Sequence, residues 1–143
     1  MSRPTKNKEY EMEYVKENDV PPPRPSKGVA FLRIVDAEED ISKKGNEMIV
    51  LYCETIGGDC EGFNIRYYIT NKKDAPWMAA NAIGSLMRAI HGSNWKPEKK
   101  NYGPRDFAGH EVYAMLGRDA EDYPKIRYWI PEDQIKETEN PPF

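Results

Sequence analysis

Two cysteines, Cys53 and Cys60, and two histidines, His91 and His110, are all that this 143-residue chain offers of the residues that staple small domains or hold soft metals. So low a count excludes a disulfide framework, and a zinc site would have to draw on the histidines without any paired C-x-x-C spacing. Both thiols are expected to be idle or buried in a reducing compartment, and no metal or other cofactor is expected. Long apolar runs are also missing. No stretch approaches the roughly 18 residues that span a bilayer, and the N-terminus (Met1, Ser2, Arg3, Pro4, Thr5, Lys6) lacks the apolar core of a signal peptide. A soluble, cytoplasmic protein with no membrane partner is the expectation. Catalytic signatures are scarce too: there is no phosphate-cradling glycine loop and no nucleophile and base pairing. A metal-dependent nuclease would need clustered carboxylates, and the run Asp36, Glu38, Glu39, Asp40 reads instead as a solvated strand end. An enzyme is not expected.

What is present is charge, unevenly placed. The formal net charge is -3, which by itself disfavours a polyanionic partner. Between Gly62 and Arg105, however, eight cations (Arg66, Lys72, Lys73, Arg88, Lys96, Lys99, Lys100, Arg105) stand against two acids, Asp74 and Glu98. From Glu132 to Phe143 the balance inverts, with Glu132, Asp133, Glu137 and Glu139 against Lys136. The middle of the chain is suited to meet phosphate and its end to be repelled by it.

The length suits one domain with tails. Residues 1–27 are polar and end in Val20-Pro21-Pro22-Pro23-Arg24-Pro25, which favours an extended arm and forbids a central strand. Within the arm, Glu9 to Val15 alternates acids with Tyr10, Met12 and Tyr14, a pattern that suits a short edge strand. Five segments then carry strand character, rich in β-branched and aromatic residues and bounded by turn formers: Gly28 to Glu38, Glu47 to Ile56, Gly62 to Asn71, Gly109 to Arg118 and Tyr123 to Ile130. Short connections at Asp40 to Asn46 and Gly57 to Glu61 predict that the first three form a meander. Between the third and fourth, Met78, Ala82, Leu86 and Ile90, with Ala79, Ile83 and Met87 beside them, recur at helical spacing from an Asp74 N-cap to a Gly92 stop. Trp77, Met78 and Met87 are expected to pack inward. The order strand, strand, strand, helix, strand, strand is that of a five-stranded Greek-key barrel of the OB type, with the helix plugging one end. The expected organisation is thus a mainly β protein: a flexible arm (1–27), an OB domain (28–131) and an acidic tail (132–143).

Alternation assigns faces. In the third strand Phe63, Ile65, Tyr67 and Ile69 point in, leaving Arg66 and Tyr68 outside. In the fifth, Ile126, Tyr128 and Ile130 are assigned inward and Lys125, Arg127 and Trp129 outward. The second strand offers Tyr52, and the first Phe31 and Arg33. Strand-coating proteins need cations that track the phosphates and flat rings on which bases stack, and OB barrels bind across strands two and three, flanked by loops. The expected nucleic-acid site is therefore Arg66, Tyr68 and Tyr52, with Arg33, Arg127, Trp129, Lys43, Lys44, Lys72 and Lys73 around it. Ser93 to Phe107 adds Trp95, Lys99 and Lys100 in a loop placed to close over a bound strand. The acidic loop Asp119, Glu121, Asp122 should keep DNA from that side.

The run Phe31-Leu32-Arg33-Ile34-Val35-Asp36-Ala37-Glu38-Glu39, followed by Ser42-Lys43-Lys44-Gly45-Asn46-Glu47-Met48 and the aliphatic Ile49-Val50-Leu51, resembles the start of phage OB-fold single-stranded DNA-binding proteins, in particular a family long labelled as of unknown function. The resemblance spans about Gly28 to Ile130 and implies an OB barrel that coats and protects single-stranded DNA without sequence preference in phage-type replication, recombination and repair. The ending Glu137-Thr138-Glu139-Asn140-Pro141-Pro142-Phe143 is similar to the acidic tip of bacterial single-stranded DNA-binding proteins, with fewer acids and with Pro141 at their aliphatic position. That similarity implies recruitment of replication or recombination proteins through Pro141, Pro142 and Phe143. Assembly into a homo-oligomer is compatible with either reading. The competing class is a non-catalytic protein-binding module, an inhibitor or adaptor of a host enzyme that uses a barrel edge and the Pro-rich arm.

Overall fold

A computed structural model describes residues 24–135. The elements run β1 (Gly28–Ile41), β2 (Glu47–Thr55), β3 (Asn64–Thr70), α1 (Pro76–His91), β4 (Glu111–Arg118) and β5 (Pro124–Ile130). Five antiparallel strands make one sheet in the order β3-β2-β1-β4-β5. Each of the five strands expected between Gly28 and Ile130 is present, and the helix falls between the third and fourth as its apolar stripe required. The expected closure into a barrel is not observed. β3 and β5 remain the two edges, with no ladder between them. Their inner faces do meet, for the Tyr67 and Trp129 rings stand edge to face at 5.0 Å.

β1 continues past Glu38 because Glu39, Asp40 and Ile41 pair with Ile49, Met48 and Glu47 of β2. The carboxylates stay in the ladder with their heads in water, so their low strand propensity is tolerated. The core gathers Leu32 and Ile34 of β1, Leu51 and Cys53 of β2, Ile65 and Ile69 of β3, Val112, Ala114 and Leu116 of β4, and Ile126 and Trp129 of β5. Over it α1 lays Ala79, Leu86, Met87 and Ala89. Burial pushes the Cys53 thiol up to about 12, and both cysteines are free.

Three expectations about α1 and β5 are corrected. Asp74 does not cap α1; Ala75 occupies the N-cap without a side-chain bond and Pro76 opens the first turn. Trp77 and Met78 do not pack inward but stand 61% and 50% exposed, because the stripe that meets the sheet starts at Ala79. The third correction concerns Trp129, expected outside and found 4% exposed, while Tyr128, expected inside, is 53% exposed. In the β4–β5 ladder Met115 faces Tyr128 but Leu116 faces Ile126, leaving Arg127 as an unpaired extra residue. A β-bulge of this kind reverses the alternation beyond it. A similar irregularity at Val35 breaks the phase of β1 between Ile34 and Asp36, leaving Val35 exposed.

Candidate nucleic-acid interface

β2 and β3 pair without a break, so residues facing each other across their ladder share one side of the sheet. On the outer side Tyr52 faces Arg66 and Val50 faces Tyr68. The Arg66 guanidinium carbon lies 5.3 Å from the centre of the Tyr52 ring, a cation–π arrangement. Tyr52 donates its hydroxyl to Glu38 Oε1 at 2.6 Å, which fixes the ring and raises its phenol above the ordinary value. Tyr68 stands 50% exposed. Two rings and one guanidinium thus sit side by side on a solvated face, the combination that base stacking and phosphate contact require.

The same face has an acidic border. Asp36 and Glu38 of β1 lie across from Tyr52 and Val50, on the side of Tyr52 away from Arg66. Cations collect instead at the end of the sheet where β1 turns into β2 and β3 ends. Lys43 and Lys44 occupy the exposed β1–β2 turn, which Ser42 and Asn46 close by a backbone bond of 2.7 Å. The Asn71 N–H donates to the Glu47 carbonyl at 2.8 Å, so Lys72 and Lys73, the next residues of the chain, emerge beside that turn. Lys99 and Lys100 line a cleft that also includes Asn71 and Glu47. Sequence order hides this gathering; sheet order produces it.

Arg33, Arg127 and Trp129 do not join the group. Arg33 is on the outer face but is held by Glu111 Oε2 at 2.9 Å and Glu54 Oε1 at 3.3 Å, a guanidinium already matched by two carboxylates. Arg127 lies on β5, at the far side of the sheet order from β3. Its side chain crosses Gly117, where an added Cβ would come within 2.7 Å of Arg127 Cδ. Trp129 belongs to the core. Phe31, outward as expected, packs against Tyr113 with ring centres 4.6 Å apart and the planes tilted by 40°.

The loop after α1 is built rather than loose. Gly92 N–H closes the helix onto the Arg88 carbonyl at 2.8 Å. Trp95, half-buried, meets Tyr102 edge to face at 5.7 Å, and both pack on the core. The loop ends in Phe107, which is fully buried and which sequence reasoning missed. Lys99 Nζ bonds Asp106 Oδ1 at 2.8 Å, while Gly103 N–H donates to Asp106 Oδ2 at 2.8 Å. Burial works against the Asp106 carboxylate, but these two donors outweigh it and hold the group below its ordinary range. Of the loop's cations, Lys99 is thus tied down, whereas Lys100 stands exposed beside it.

The acidic β4–β5 loop has a definite use. Arg24 stacks over the Tyr123 ring at 4.2 Å and donates to the Asp122 carbonyl at 3.0 Å. Arg118 donates to the Pro25 carbonyl at 2.8 Å, and Pro25 is buried. The last residues of the Pro-rich arm are therefore clamped on this loop. The edge strand expected at Glu9 to Val15 and the partner residues Pro141, Pro142 and Phe143 lie outside the described residues. Among the described residues no three His, Cys, Asp or Glu side chains group as a metal site, and no helix is long and apolar enough to cross a membrane. No family model and no curated protein matches this chain.

Proposed function

We propose that the protein binds single-stranded DNA without sequence preference, as a non-catalytic coat and protector in phage-type replication and recombination. The observation that carries this reading is the trio Tyr52, Arg66 and Tyr68 on one solvated face, leading toward the lysine-rich end of the sheet. Strand order supports the OB-type reading of the fold. β1 is shared between β2 and β4, and the two edges β3 and β5 approach through Tyr67 and Trp129, as in a Greek-key barrel left open at one seam. The acidic border on β1 favours a lateral position for the backbone, with phosphates on the β3 side and bases toward the rings. Through Pro141, Pro142 and Phe143 the tail would recruit replication or recombination proteins.

The test is fluorescence anisotropy of a labelled oligothymidine and of a duplex of equal length, at low and moderate salt. The expected outcome is salt-sensitive binding to the single strand and much weaker binding to the duplex. Absence of binding to both would refute the reading and favour a protein-binding module. That second reading draws on one observation of its own, the exposed pair Trp77 and Met78 at the start of α1.

A further inference from the structure

The solvent side of α1 departs from the ordinary pattern. A surface helix sets charged residues opposite the face it buries, but α1 carries no charge from Pro76 to Met87, and its basic residues, Arg88 and His91, fall in the last turn. Its buried face is Ala79, Leu86, Met87 and Ala89. The opposite ridge follows the helical repeat through Trp77, Asn81, Gly84 and Arg88. Trp77, Asn81 and Arg88 are exposed and Gly84 is half-buried, while Met78 and Ala80, also exposed, flank the ring. Exposed apolar surface of this kind marks a contact site.

The ridge has a ring at its start and a cation at its end. A Cβ added at Gly84 would lie 3.3 Å from Arg88 Nη1, so the Arg88 side chain runs back along the helix and spreads its guanidinium over the glycine. Among the described residues no carboxylate pairs with it and no ring stacks on it. Asn81 stands midway, four residues after Trp77 and three before Gly84, a rise of about 5 Å either way. Its amide is donor and acceptor at once.

We infer that this ridge is the contact between two copies of the chain, packed as antiparallel helices about a two-fold axis at Asn81. Such an axis sets the residues before position 81 of one copy beside those after it in the other. Trp77 of each copy then meets the guanidinium that Arg88 of the other lays over Gly84, and the ring and cation pair forms twice. On the axis each Asn81 amide donates to its counterpart and accepts from it. Asp74, seven residues before the axis as Arg88 is seven after it, brings a carboxylate to the same end of the contact. A second copy is the matching occupant because both halves of each interaction already stand on one helix. α1 covers the core side of the sheet, whereas Tyr52, Arg66 and Tyr68 stand on the outer side. The contact therefore leaves the outer faces open and does not depend on what they bind. A patch one helix wide belongs with the small interfaces, under about 1,200 Å², so a reversible dimer is expected.

The experiment is sedimentation velocity of the full chain without nucleic acid, across the micromolar range, for the unaltered protein and for Asn81→Asp, Asn81→Lys and Trp77→Ala, all at exposed positions. The unaltered protein is expected to pass from one chain to two as concentration rises. Asp or Lys at position 81 sets like charges against each other on the axis, so each variant alone should stay monomeric. An equimolar mixture of the two should dimerise again, because each Asp then meets a Lys. Trp77→Ala should weaken association by at least about tenfold, as loss of an aromatic anchor does. An unaltered protein that stays monomeric throughout overturns the inference. So does a dimer that either charge variant retains, a mixture that fails to reassociate, or a Trp77→Ala dimer as tight as the parent. None of these outcomes bears on the single-strand reading, which oligonucleotides test separately.

Discussion

Replacing Arg66 and Tyr68 together with alanine removes the exposed ring and the guanidinium that define the proposed binding face, and neither contributes to the core. Stacking on one aromatic side chain contributes about 1 to 3 kcal/mol per base, and each 1.4 kcal/mol is about tenfold in affinity. Loss of Tyr68 alone should then weaken oligothymidine binding by about 5- to 140-fold. Loss of Arg66 removes a single phosphate contact, which should flatten the slope of log affinity against log salt by about 0.7 for a single strand. Two signatures are thus expected from one double variant, a drop in affinity and a shallower salt dependence, both read by anisotropy across a salt series. Arg33→Ala is the internal control. Its guanidinium is already matched by Glu54 and Glu111, so it should change affinity by less than about twofold, as expected for a charge with little left to offer phosphate. A double variant that keeps the far-ultraviolet dichroism of the parent and binds with unchanged affinity and slope would refute the assignment. So would an Arg33→Ala loss as large as that of the double variant.

Two further outcomes follow from the bulge on β5 and the brace in the loop. Trp129→Ala should destabilise the fold by about 3 to 5 kcal/mol, as large-to-small core substitutions do, whereas Tyr128→Ala should stay within about 0.5 kcal/mol; urea unfolding of the two variants checks the reversed phase, and the opposite ranking would refute it. Asp106 is held below its ordinary value, so its contribution to the loop is complete above the unfolded pKa and lost as pH falls through the lower folded one. The near-ultraviolet dichroism of the Trp95 and Tyr102 pair should therefore persist to below about pH 4. Lys99→Gln, which removes the ammonium that favours the carboxylate, should move that loss to higher pH.

The parts of the fold legible in the sequence are those where one local pattern runs unbroken. β3 alternates without a bulge, so Ile65 and Ile69 are core and Arg66 and Tyr68 are outside, as alternation requires. In α1 the stripe of Ala79, Ile83, Leu86 and Met87 ends at Gly92, and the helix ends with it. Phase fails in β5 because a bulge has no residue type of its own: Arg127 is an ordinary strand residue until its pairing is known. The one trace it leaves is across the ladder. Gly117 interrupts an otherwise well-filled strand, and an isolated glycine there marks a bulge or a close approach; the Arg127 side chain lies over that gap.

The charges of the site were legible in number but not in worth, because worth depends on neighbours from other strands. Arg33 and Arg66 look alike in sequence, each a cation amid strand residues. One meets Glu54 from β2 and Glu111 from β4, the other the ring of Tyr52, and only the second keeps its charge for a ligand. Lys43, Lys72 and Lys100 lie far apart along the chain, yet the meander of β1 to β3 and the loop after α1 bring them to one end of the sheet. For a chain of net negative charge this segregation decides whether phosphate can be bound. An acidic row beside Tyr52 and a cationic end beyond Tyr68 give an approaching polyanion one favourable track rather than a uniformly repulsive surface.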